Sequence, residues 1–250
     1  MVFSRKEVGS LLIGAVVLGV VFGFDDKQPV FELGFWLMNL FVVMLVAFLS
    51  LVLYEAGHKA VASRLGCSST AELWCARRFS LAEQYPPLRK GGSGFPLGAA
   101  IPLLLTLLSR GVVKCATVMV SRITPDPRKR LGREFVRLSE FDEARIALSG
   151  PLVAVVVAAF GKMVLGSSLL GIQVVSMNAL LALWNMVPVP RLDGMKVYFG
   201  SPLLYTFSLA FMVVALIMLR VAHAGAALAL GLVAGVGVFF LHYTKSFIKK

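Results

Sequence analysis

The chain has 250 residues, 58% of them hydrophobic and 15% charged, with a mean hydropathy of +0.84. That composition excludes a soluble domain, which needs far more polar surface, and makes lipid the solvent for most of the chain. The formal net charge of +12 lies between apolar blocks without aromatic–basic interleaving, so it reads as a topology signal with affinity for anionic lipid, not as a nucleic-acid surface.

Crossing the hydrocarbon takes about 20 apolar residues in a helix. Residues 8–24 form the first candidate, an uncleaved span preceded by Arg5 and Lys6. The second, 34–53, runs on into Tyr54-Glu55-Ala56-Gly57-His58, and Gly66 is its expected stop. Residues 67–93 are polar and rich in turn formers, which predicts a loop. Residues 95–109 are apolar but hold two prolines, and 111–120 is too short to cross and β-rich. Strong spans resume at 146–165, 169–188, 202–219 and 222–243. The expected fold is therefore an all-α polytopic bundle of six transmembrane helices forming one domain over 1–250. Cys67, Cys75 and Cys115 make no zinc-ribbon pattern and are expected as free thiols.

Most of the 25 lysines and arginines lie between Lys59 and Arg145. Positive loops stay inside, so this basic loop, about 63–145, and both termini are expected in the cytosol. Arg128-Lys129-Arg130 would then be a topology determinant. That parity requires 95–120 not to cross an odd number of times. The segment is read as a re-entrant hairpin, with 112–120 as a strand set against protein; a seventh crossing at 95–109 is the alternative, and would carry many positive charges outside.

Ionisable residues within spans are functional candidates by default. Two groups stand out. Tyr54 and His58 share a helix face at the end of the second span, with Glu55 beside them. Asn185-Met186-Val187-Pro188-Val189-Pro190-Arg191-Leu192-Asp193-Gly194 closes the fourth span. Parity puts both groups at the same membrane level, where Glu55, His58 and Asp193 can converge.

These motifs resemble the site-2 protease family of intramembrane zinc metalloproteases. That family pairs a His-Glu-x-x-His helix with a later Asn-x-x-Pro-x-x-x-x-Asp-Gly segment and places a Gly-Pro on the span between, as Gly150-Pro151 is placed here. The resemblance covers about residues 8–200, with the core near 34–200 and residues 202–243 as accessory spans. It implies a zinc cofactor and a transmembrane protein as substrate, with membrane lipid as surroundings. It also implies His58 and Asp193 as metal ligands, Glu55 as general base, and Asn185 as a substrate-holding residue. Gly150-Pro151 is expected to start a helix, with Ser149 as its cap. Asn178, two turns before Asn185, is expected to bond between helices.

The chain departs from the family at the first ligand, where Tyr54 stands in place of His. A phenol titrates near 10 and is a poor zinc ligand unless the metal ionises it. Three readings follow: a non-catalytic relative that binds without cutting, an isolated change in an otherwise active protease, or a weak site using the phenolate. The expected activity is cleavage of transmembrane helices by zinc-activated water, impaired at Tyr54; the alternative is an inactive substrate-binding or regulatory protein.

Overall fold

The computed structural model describes residues 3–25, 31–75, 95–126 and 138–247. Arg128-Lys129-Arg130 and most of the expected loop at 67–93 lie outside them. Five described helices are long and apolar enough to cross a membrane: α1 (Arg5–Gly23), α2 (Leu33–Arg64), α4 (Glu140–Leu165), α7 (Pro202–Val221) and α8 (Ala224–Phe247). Two shorter apolar helices, α3 (Leu97–Leu108) and α5 (Leu169–Asn185), join them, with a short α6 (Asp193–Gly200) and a two-stranded sheet of β1 (Cys67–Leu73) and β2 (Met119–Pro125).

Local chemistry sets the helix ends. Ser4 and Glu7 form a capping box at α1, the Ser4 hydroxyl accepting from Glu7 N and Glu7 Oε2 from Ser4 N. At 32 residues, α2 is about 48 Å long. That exceeds a hydrocarbon core of about 30 Å. Gly66, at φ +69°, ends the chain's helical course after α2 in the left-handed region. With 12 residues, α3 reaches only about 18 Å, too short to span.

Three local expectations are corrected. Cys67–Leu73 is a strand rather than a loop, because Cys67, Ser69 and Ala71 alternate inward and bury against the bundle. The strand expected at 112–120 is displaced to Met119–Pro125, since its extent is set by antiparallel pairing with β1, from Leu73 opposite Met119 to Cys67 opposite Pro125. Gly150-Pro151 does not begin a helix. Ser139 caps α4 by accepting from Asp142 N, with Glu140, Asp142 and Glu143 in the first turn, and Pro151 lies inside the helix. Ser149 instead bonds the carbonyl of Ile146.

Helix α4 is the central post, packing against α2, α5, α6, α7 and α8. Hairpin α7–α8 closes tightly because Gly231 and Gly235 lie directly on the α7 backbone at Phe211 and Phe207. Asn178, fully buried on α5, donates to Ser50 Oγ on α2 at 2.9 Å, as expected of a residue bonding between helices.

Candidate functional site

The end of α2 meets the start of α6. Gly194 makes this possible, because it lies on the backbone of Met186 just after α5, where any Cβ would collide with the Met186 carbonyl. Asn185 thus ends one helix, the chain folds back through Pro188 and Pro190, and Asp193 opens the next helix facing α2. Arg191 takes a left-handed conformation at φ +76° and donates to the Cys75 carbonyl at 2.8 Å.

Tyr54, Glu55, His58 and Asp193 are brought together and are almost fully buried. Tyr54 Oη donates to Asp193 Oδ2 at 2.7 Å. His58 Nε2 lies 3.4 Å from the same oxygen, while Nδ1 lies 3.4 Å from Glu55 Oε2. The imidazole therefore stands between the two carboxylates, with Glu55 on one edge and Asp193 on the other. Asn185 is not part of this group: its Nδ2 donates to Leu181 O on its own helix at 2.9 Å.

Three partners complete the cluster, and motif spacing did not point to them. Ser121 on β2 donates from Oγ to Glu55 Oε2 at 3.0 Å and also hydrogen-bonds His58 Nδ1. A serine has one hydroxyl hydrogen, so with that hydrogen on Glu55 the ring Nδ1–H is the donor to Ser121. Lys196, one turn after Asp193, donates to the Ser121 carbonyl and lies 3.8 Å from Asp193 Oδ1. That Asp193 oxygen is buried and accepts no hydrogen bond among the described residues. The third partner is the carbonyl of Ala147, 3.2 Å from His58 Nε2.

The Ala147 contact explains the Gly-Pro on α4. Within a helix the carbonyl of residue 147 would accept from the N–H of residue 151, but Pro151 has none. The freed carbonyl turns to His58. Gly150 supplies the room, since a Cβ there would strike the rings of both His58 and Tyr54. Signals for Ser121 were absent from the sequence; Lys196 at three residues from Asp193 was findable as a helical neighbour.

Zinc requires three protein donors with free lone pairs converging on one point. Here Tyr54 spends its hydrogen on Asp193, both His58 nitrogens face oxygen acceptors, and Glu55 lies on the far edge of the ring. Among the described residues no three His, Cys, Asp or Glu side chains are grouped to hold a metal ion. The donor set as it stands does not fit a three-ligand zinc site. What it can do chemically is lock α2, α4, α6 and β2 together through one buried hydrogen-bonded network.

Compared with known proteins, the chain matches no family model, no curated protein and no solved structure.

Proposed function

We propose that this chain is a multi-pass membrane protein of the site-2 protease type that receives membrane-spanning protein segments without cutting them. In this reading α1, α2, α4, α5, α7 and α8 make six crossings, with both termini and the basic segments in the cytosol. The observation that carries it is the hydrogen bond from Tyr54 Oη to Asp193 Oδ2 at 2.7 Å. Where the resemblance calls for a ligand imidazole, a phenol instead donates to the carboxylate that would bind the metal.

The chain's own residues then hold and present. Tyr54, His58, Ser121 and Lys196 fix Glu55 and Asp193 in place, and the sheet beside them offers an edge on β2. An extended segment unwound from a client helix can add to such an edge by backbone hydrogen bonds.

A latent protease is the second reading, and one distance favours it. His58 Nε2 and Asp193 Oδ2 are 3.4 Å apart, close to the separation of two ligands each about 2.1 Å from one tetrahedral ion. An imidazole at position 54 would supply the third donor. The test is to purify the wild type and Tyr54→His, measure bound zinc, and assay cleavage of a generic transmembrane substrate. Metal and cleavage in the Tyr54→His protein alone supports the binding reading for the natural chain. Stoichiometric zinc and equal cleavage in the wild type would overturn it.

A further inference from the structure

The two edges of the small sheet are closed in different ways. On β1 the Ser69 carbonyl accepts from Lys59 Nζ at 3.0 Å, and the Ala71 N–H donates to Glu7 Oε1 at 3.1 Å. Lys59 and Glu7 also bond each other at 2.6 Å, so this cap is a complete, buried ion pair. In an antiparallel ladder, residues directly opposite one another turn their backbone groups the same way, both inward or both outward. Ser121 lies opposite Ala71 and Ile123 opposite Ser69. Both must therefore point their N–H and C=O groups out of the other edge of β2, which no strand among the described residues covers.

On that edge the Ser121 carbonyl is occupied by Lys196 Nζ, while among the described residues no hydrogen bond reaches the outward groups of Ile123. Lys196 differs from Lys59 in one respect: Lys59 already bonds its second acceptor, Glu7, whereas the second acceptor of Lys196 is not yet engaged. Asp193 Oδ1 stands 3.8 Å from the ammonium, buried and without a hydrogen bond. The ammonium can leave the strand without losing a partner. It also borders a cleft lined by Glu143, Arg191 and Phe199, which gives it room to move.

We propose that Lys196 is a displaceable cap on the open edge of β2. An arriving extended segment donates its own N–H to the Ser121 carbonyl, and Lys196 Nζ transfers to Asp193 Oδ1. The inference rests on the reading of β2 as the edge that receives client segments. It adds that the edge is closed at rest by a residue of the cluster itself, so that occupancy of the edge is reported to Asp193 through one side chain.

The test uses the full chain in lipid nanodiscs with benzoylphenylalanine replacing Ile123. The probe is a synthetic polyleucine transmembrane peptide interrupted near one end by Gly-Pro. Photo-cross-linking is compared at equal peptide for otherwise wild-type protein, Lys196→Met and Lys196→Arg, with thermal melting as the check of folding. Removing a competing hydrogen bond to a charged donor should raise cross-linking in Lys196→Met about tenfold, whereas Lys196→Arg, which keeps the cap, should match the wild type. Should Lys196→Met fail to fold, Lys196→Leu, which also lacks a donor, takes its place with the same direction expected. Equal cross-linking in wild type and the neutral variants overturns the cap while leaving the edge as a client site. No cross-linking in any variant overturns the client reading itself, and the cap with it.

Discussion

Tyr54 and Asp193, 139 residues apart, are joined by a buried hydrogen bond of 2.7 Å in which the phenol donates to Oδ2. A carboxylate at that depth is costly unless it is served by donors. Among the described residues its other oxygen has only Lys196, at 3.8 Å, so the phenol carries much of the burden. Tyr54→Phe keeps the ring and removes the donor. We expect it to destabilise the protein by about 1–3 kcal/mol, read as a lowered melting temperature in nanodiscs. Combined with Asp193→Asn the loss should be less than additive, because the two residues share one interaction. Strict additivity would show that the bond contributes little.

Metal should be irrelevant to the stability of the natural chain. Adding zinc or a strong chelator is expected to leave its melting curve unchanged, whereas Tyr54→His should gain stability with zinc. At a zinc concentration about 100 times the dissociation constant the gain would be about 2.7 kcal/mol. A chelator that lowers the wild-type melting temperature would contradict the hydrogen-bonded account of the cluster.

Gly150 is the contact surface on which Tyr54 and His58 both rest. Gly150→Ala adds one methyl group against two buried rings held by hydrogen bonds, and helix propensity alone would favour the change. Overpacking is expected to win, at a net cost of about 1–3 kcal/mol. A stabilised Gly150→Ala protein would mean that the cluster has slack that its contacts do not suggest.

Glu7 and Lys59 tie α1 to α2 and to the outer edge of β1. Their side chains are 6% and 11% exposed, so a charge left behind by a single substitution has little water to reach. Glu7→Gln alone is expected to cost about 3–5 kcal/mol, and Glu7→Gln with Lys59→Met should recover part of that loss. Denaturation with each variant in the same lipid settles the comparison.

The three cysteines should separate by access. Cys67 and Cys115 are buried, while Cys75 is partly exposed. Maleimide should label Cys75 first in the folded protein and reach Cys67 and Cys115 only on denaturation. Early labelling of Cys115 would indicate that the segment before β2 opens to water.

Much of the architecture was legible because membrane crossing is a local demand. A helix in lipid must satisfy its own backbone and present apolar side chains over a fixed length, so α1, α2, α4, α7 and α8 announce themselves as apolar runs. Tyr54, Glu55, His58 and Asp193 were legible for a related reason, as polar residues where lipid penalises them. The β1 strand was not, since Cys67–Leu73 has the turn-tolerant composition of a loop and becomes a strand only by pairing with a segment some fifty residues on. The start of α4 was misjudged because Pro151 reads as a helix boundary until a partner is found for the carbonyl it abandons.

The sequence by itself determined that the chain lives in lipid, where its long helices run, and which polar residues from two distant motifs must share a level. Only the tertiary structure decided who bonds to whom: that Tyr54 donates to Asp193, that Ala147 and Ser121 take the two edges of His58, and that Lys196 closes β2. Hydropathy and helix length are summed along the chain and survive any rearrangement of neighbours. Hydrogen bonds between buried side chains depend on ångström-scale approach across the fold, and no pattern along the chain encodes that approach.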